Sequence, residues 1–201
     1  MLFDRTCTGP RLRPGLSHAW WSGGQLYGRL LGRLHAWHGA STWADALAWV
    51  AQHQPDRPIA ELQFWGHGKW GQAYINREIL DAAALRPGHP LHPAMLAIRE
   101  RLTGPAALWW FRTCETFGAA PGHDFARRLT DFLGCRAAGH TYIIGGWQSG
   151  LHSLAPGEQP AWSPHEGLKL GPPEAPREAL WSRRSAPNTI HFLSGKVPAG
   201  Y

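Results

Sequence analysis

Lysine is nearly missing from this chain of 201 residues: Lys69, Lys169 and Lys196 are the whole set, so arginine carries almost all of the formal net charge of +6. The arginines are scattered and form no tract, which removes the basic stripe expected of a nucleic-acid surface. Arginine together with twelve tryptophans could offer stacking groups to bases. Dispersed surface charge is the simpler account, and nucleic acid is not expected as a partner. Cysteine is scarce and odd in number, with Cys7, Cys114 and Cys135 alone. That excludes a disulfide framework and leaves room for a free, working thiol in reducing surroundings. No apolar run reaches the roughly eighteen residues of a membrane span. The opening MLFDRTCTGPRLRPG has no apolar stretch after its charges, so a secretory signal is not expected either. The expectation is a cytoplasmic protein that does not engage a membrane.

What is present suits one globular domain over residues 1–201. An apolar fraction of 43% against 17% charged is enough to build a core, and the length is short for two. Residues 17–22, SHAWWS, followed by Gly23-Gly24, read as a buried strand ending in a turn, and LHAWHGA reads as a second strand. STWADALAWVAQHQ predicts a helix, with Ser41 or Thr42 as N-cap and Trp43, Leu47 and Val50 on one stripe. IAELQFWGHG reads as a third strand, GQAYI as a hairpin arm, PAMLAIRERL as a helix and AALWWF as a fourth strand. HDFARRLTDFLG is again helical, stopped by Gly134, and CRAAGHTYIIGG supplies a fifth strand.

Strands apolar on both faces, alternating with helices, predict an α/β three-layer sandwich: a mostly parallel central sheet flanked by helices, with its core over about 17–153. The loop-rich remainder, 154–201, concentrates prolines. Its stretch 155–188 reads as an extended proline-rich flap laid over the domain, with TIHFL as a last strand.

Two strand endings carry the chemistry. The third strand stops at Gly66-His67-Gly68, and 47 residues later (114 minus 67) the fourth runs ALWWFRTC and stops at Cys114. Strands of a parallel sheet finish at one edge, and neighbours lie about 4.8 Å apart, so side chains just past two adjacent ends share a crevice. The crossover between them has ample length. An imidazole beside a thiol can take its proton and make a nucleophile. Gly68 lets the backbone approach closely, so its N–H and that of Cys114 could hold an oxyanion. Arg112, two residues before Cys114, shares its face by strand alternation. It is expected to favour the thiolate and to meet a carboxylate, Glu115, Asp124 or one on the substrate.

The pairing of "apolar strand, His-Gly" with "apolar strand, two residues, Cys" resembles the caspase-like cysteine peptidases of clan CD, whose caspase members separate histidine and cysteine by about 50 residues. The resemblance covers the order of elements over roughly 17–145. It implies a His-Cys dyad in a cysteine endopeptidase, with His67 as general base and acid and Cys114 as the acylated nucleophile. Caspases carry Gln-Ala-Cys-x-Gly, whereas this chain has Arg112-Thr113-Cys114-Glu115-Thr116, and Gln63 interrupts the strand before His67. A distant, bacterial-type relative is the description that fits. Trp21 and Ser22, at the end of the first predicted strand, then fall where such proteins build the pocket for the residue before the scissile bond. Acidic Glu115 or Asp124 in that pocket would select a basic side chain, and Arg112 there an acidic one.

The partner implied is a peptide or protein substrate, with a regulatory protein as a second candidate. The competing reading is a non-catalytic caspase-like interaction module that docks partners through 155–188. No cofactor is implied. His89 and His92 have a His-x-x-His spacing, but no second pair follows to complete a zinc site, so no metal is expected. His140 and Cys135 read as buried sheet and core residues.

Overall fold

The computed structural model describes residues 1–9 and 14–201. Strand β1 (Leu2–Asp4) opens the fold, followed by α1 (Leu16–Gln25), which runs on into a π-helical turn over Leu26–Leu30. Then come β2 (His38–Ala40), α2 (Trp43–Gln52), β3 (Glu61–Trp65) and a ribbon of β4 (His67–Lys69), β5 (Gln72–Ile75) and β6 (Glu78–Leu80). Helix α3 (His92–Arg101) leads to β7 (Leu108–Arg112), α4 (Ala119–Leu133) and β8 (Arg136–His140). The remainder holds β9 (Trp147–Gln148), β10 (Leu151–Leu154), β11 (Leu168–Leu170), β12 (Glu178–Ala179) and β13 (Ile190–His191).

Six strands form the central sheet in the order β2-β1-β3-β7-β8-β10, all parallel except β10, which runs antiparallel to β8. The fold is therefore α/β, with a mostly parallel sheet. Strand alternation sorts the apolar side chains into layers. Leu2, Phe64, Trp109, Phe111 and Ala137 point into one core with the buried faces of α2, α3 and α4. On the other face Phe3 and Trp65 meet the segment around α1, while Trp110 and Ala138 meet Leu151 and Ile190 and the chain's last residues, Val197 and Tyr201. The middle layer is thus covered on both sides. Each large aromatic side chain sealed there contributes about 1.5–3 kcal/mol.

Local chemistry explains the elements that were expected. Thr42 caps α2 by accepting from the Asp45 N–H at 3.0 Å, and Trp43, Leu47 and Val50 are its buried stripe. Gly134 ends α4 in the left-handed conformation, φ 65°, which costs a glycine nothing sterically.

The first predicted strand is overturned: residues 17–22 lie within α1, and the first strand is Leu2–Asp4. Gly23 and Gly24 mark no turn. A Cβ on Gly23 would come within 2.7 Å of the Trp65 ring, and one on Gly24 within 3.1 Å of Trp37, so both glycines serve close packing of the helix. TIHFL does not extend the central sheet, because β13 pairs antiparallel with β9. In 155–188 the prolines flank a small β11–β12 ribbon, and Trp162 anchors the segment. Its ring stacks on Phe117 with centroids 6.0 Å apart, and its indole N–H donates to the Phe117 carbonyl at 3.0 Å. No helix among the described residues is long and apolar enough to cross a membrane.

Candidate functional site

The register between β3 and β7 builds the site. Glu61 pairs with Leu108 and Trp65 with Arg112, a constant offset that carries both strands to a common last rung. His67 and Cys114 each lie two residues beyond that rung. The strand order reverses beside it, since β1 sits between β2 and β3. Clefts of open α/β sheets form at such reversals, outside the carboxyl ends of the strands.

His67 begins β4 and is exposed. Its ring has no hydrogen-bond partner among the described residues, and the edge of Trp20 on α1 stands 5.5 Å from it at 80°. The bracketing glycines have local reasons. A Cβ on Gly66 would press into the Phe64 ring at 2.5 Å, and one on Gly68 would run into the Thr116 hydroxyl and lie 2.8 Å from the Cys114 carbonyl oxygen and from Thr113. The close approach at Gly68 is thus to the cysteine loop, and it ties the histidine segment directly to residue 114.

That loop is tightly braced. Thr113 and Thr116 share a hydroxyl–hydroxyl hydrogen bond of 2.5 Å, and the Thr116 hydroxyl also donates to the Cys114 carbonyl at 3.2 Å. The Glu115 and Phe117 N–H groups donate to the carbonyls of Tyr142 and His140 at 3.1 and 3.0 Å, and the Thr116 carbonyl accepts from Gly71 at 2.9 Å. The Cys114 N–H finds no backbone acceptor among the described residues. Its thiol is partly exposed and receives the Ile144 N–H at 3.4 Å. Burial raises the thiol above its ordinary pKa, the Ile144 backbone hydrogen bond works against that, and the Glu115 carboxylate adds to the rise. In the free protein residue 114 is a protonated thiol at neutral pH.

Arg112 does not meet a carboxylate. It is 3% exposed, lies over Trp65 and Trp110, and donates to Gln148 Oε1 at 2.8 Å and to the carbonyls of Phe192 and Ser194 at 2.6 and 3.1 Å. It fastens the chain's last turns to the sheet. Gln63 also has a structural purpose, since its Oε1 accepts the Trp65 indole N–H at 2.9 Å. Trp21 and Ser22 lie exposed on α1, and it is their neighbour Trp20 that reaches His67. Asp124 sits on α4 paired with Arg127 and Arg128, at 3.1 and 2.7 Å.

Glu115 lies differently from these. Its backbone is left-handed, φ 53°, and its side chain is 6% exposed with Oε2 lacking any hydrogen-bond partner. It lines a cavity of about 500 Å³ with Lys69, Trp70, Ile143, Leu180 and Trp181. Ile143 and the 180–182 segment are joined by two backbone hydrogen bonds, Ile143 N–H to Leu180 and Ser182 N–H to Ile143, at 2.9 and 2.8 Å. Nothing in the sequence pointed to residues 143–144 and 180–181, which are remote from residue 114 and come together only through this pairing.

No family model, curated protein or solved structure matches the chain.

Proposed function

We propose that the protein is a caspase-like cysteine peptidase that acts through His67 and Cys114. The observation that carries the reading is the shared last rung of β3 and β7, which brings both residues to one cleft-forming edge. His67 takes the Cys114 proton as sulfur bonds to the scissile carbonyl carbon, and the carbonyl electrons pass to oxygen, held by the N–H groups of Gly68 and Cys114. Collapse breaks the C–N bond, and the amine leaves with the proton from the imidazolium. Water then gives a proton to His67, attacks the thioester, and the thiolate departs and is reprotonated.

Because burial raises the resting thiol, the proton moves in step with attack and no thiolate stands ready beforehand. The segment around β11 and β12, flanked by prolines, forms one wall of the cleft in this reading. A panel of fluorogenic peptides differing in the residue before the scissile bond tests the proposal. The wild-type chain is expected to cleave at least one, and Cys114→Ala and His67→Ala to cleave none. A folded wild-type protein inert to the whole panel and unlabelled by peptidyl acyloxymethyl ketones would refute it.

The raised thiol and the unbraced imidazole favour a second reading, a non-catalytic interaction module. It predicts that Cys114 alkylates with iodoacetamide only above the pH of an ordinary thiol, about 8.5, and that peptide substrates do not change that rate. A peptidase accelerates it when a non-cleavable substrate analogue closes the cleft around His67.

A further inference from the structure

His67 has no hydrogen-bond partner among the described residues, and the side chains that could have held its ring are committed elsewhere. Asp4 ends β1 one residue beyond the Phe3–Trp65 rung, at the edge where His67 lies. Its Oδ1 accepts from the Thr6 N–H and hydroxyl, both at 2.7 Å, and its Oδ2 from the Asn76 N–H at 3.3 Å. Tyr74 stands opposite His67 across the β4–β5 ribbon, but its hydroxyl donates to Gln72 Oε1. Lys69, the next residue on the same face of β4, lies over the Trp70 ring. Left to itself, an exposed imidazole at the start of a strand spreads over several staggered rotamers, and few of them face a neighbouring strand end.

What touches the ring is Trp20. The two centroids are 5.5 Å apart and the planes cross at 80°, within the range over which aromatic rings attract each other edge to face. Trp20 is itself fixed. Residues 17, 20, 24 and 27 recur at helical spacing, and Ser17, Gly24 and Tyr27 are buried, so Trp20 belongs to the inward stripe of α1 and its π-helical continuation. One turn before it, the Ser17 hydroxyl donates to the Asp4 carbonyl at 2.9 Å and the Ser17 N–H to the Cys7 carbonyl at 3.1 Å. One turn after it, Gly23 brings the helix so close to the Trp65 ring that a side chain would not fit. Between these two clamps Trp20 packs on Met1, Phe3, Tyr27 and Trp65 while staying only partly buried. The part left uncovered meets His67.

We propose that Trp20 is a positioning residue: the indole, anchored to the end of β1 and against β3, holds the plane of the His67 imidazole, a task that no carboxylate or carbonyl performs among the described residues. That the hold serves proton transfer rests on the peptidase reading, whereas the hold itself stands on the geometry of α1, β1 and β4. A ring kept in one orientation is in place when a substrate arrives, and misplacement by about 1 Å can cost about 100-fold in rate. The contact is made before substrate binds, so its loss falls on kcat and leaves KM nearly unchanged.

Two variants of the full chain separate positioning from packing: Trp20→Phe keeps an aromatic edge, and Trp20→Leu keeps apolar volume without one. In two-dimensional NMR at fixed pH, the imidazole C–H signals of His67, assigned by their disappearance in His67→Ala, are expected to be displaced from those of free histidine by the indole ring current. They should return toward the free positions in Trp20→Leu and stay displaced in Trp20→Phe. In the fluorogenic panel Trp20→Leu is expected to lose about 10-fold in kcat with KM within about twofold of wild type, and Trp20→Phe to recover most of that loss. His67 signals unmoved by Trp20→Leu, in a variant whose thermal midpoint shows it folded, overturn the proposal whether or not any peptide is cleaved. Signals that return in Trp20→Leu while kcat stays at the wild-type value overturn it as well, since the ring would then be held to no catalytic purpose. In a wild type that cleaves nothing the peptidase reading fails, and displaced signals that return in Trp20→Leu still support the hold on the ring.

Discussion

Acid should unfold this protein through one histidine more than through any carboxylate, and the size of the effect follows from where that histidine sits. His140 is the last residue of β8, fully sealed, with Nδ1 facing the Ser149 carbonyl at 3.2 Å and Nε2 without a partner. Burial brings its pKa down to about 3; the hydrogen bond to Ser149 opposes this, while Arg112 from β7 and His152 from β10 lower it further. In the unfolded chain an imidazole titrates near about 6.5. Between these values the unfolded state binds a proton that the native state refuses, so the contribution of His140 is complete above about pH 6.5 and falls as pH drops, by roughly 1.4 kcal/mol per unit. The loss is about 2 kcal/mol at pH 5 and about 3 kcal/mol at pH 4, against a typical total of about 5–15 kcal/mol. Other groups titrate in the same range. Burial works against the Glu166 charge, but hydrogen bonds from His152 and Thr141 outweigh it and hold its carboxyl below the usual range, which adds loss at lower pH. Glu115, raised by burial, acts with the opposite sign. The comparison with His140→Gln removes these shared contributions. Guanidinium unfolding of both proteins, followed by tryptophan fluorescence at pH 7, 6, 5 and 4.5, is expected to show the wild type losing its margin over the variant by about 2 kcal/mol between pH 7 and 5. Parallel pH profiles would refute the reasoning.

Two further perturbations probe the scaffold around the cleft. Gly68→Ala places a methyl group against the Thr116 hydroxyl and 2.8 Å from the Cys114 carbonyl oxygen and Thr113; the chain is expected to fold, with a stability cost of about 1–3 kcal/mol, and, on the proposed peptidase reading, to lose activity out of proportion to that cost. Activity equal to wild type would mean that the cysteine loop is not held by β4. Arg112→Met leaves Gln148 Oε1 without its donor and the carbonyls of Phe192 and Ser194 with the Tyr27 hydroxyl alone, which is expected to cost about 1–3 kcal/mol and to open residues 190–201 to limited proteolysis, read by mass spectrometry. Protease resistance equal to wild type would show that the segment is held by other contacts.

The parallel sheet and three of the four helices were readable from period and punctuation, because α2 has a capping threonine, α3 a proline in its first turn and α4 a glycine stop, all local chemistry. The first element was misread for a physical reason. SHAWWS is a short aromatic run with glycines after it, and at that length a buried strand and a helix face cannot be told apart by period. Tertiary contact decided it, since the glycines let α1 close onto Trp65 and Trp37. Leu2–Asp4 carried too few residues to signal a strand, and β10 has polar His152 and Ser153 between its leucines. The residues at the two strand endings were visible because strand ends are written locally. The partners of Arg112, the setting of Glu115 and the role of Trp20 were not, because each depends on segments that approach only after folding.

The common last rung of β3 and β7 has a consequence for how this architecture tolerates change. The number of residues between His67 and Cys114 is immaterial in itself, for added or deleted residues in the intervening excursion leave both strands on the same rung. What the geometry counts is the run from each strand's first rung to residue 67 or 114, and these runs are equal. One residue inserted into either run turns a single side chain to the opposite face and separates the pair. Distant kin would therefore be sought by matched run lengths rather than by a fixed interval.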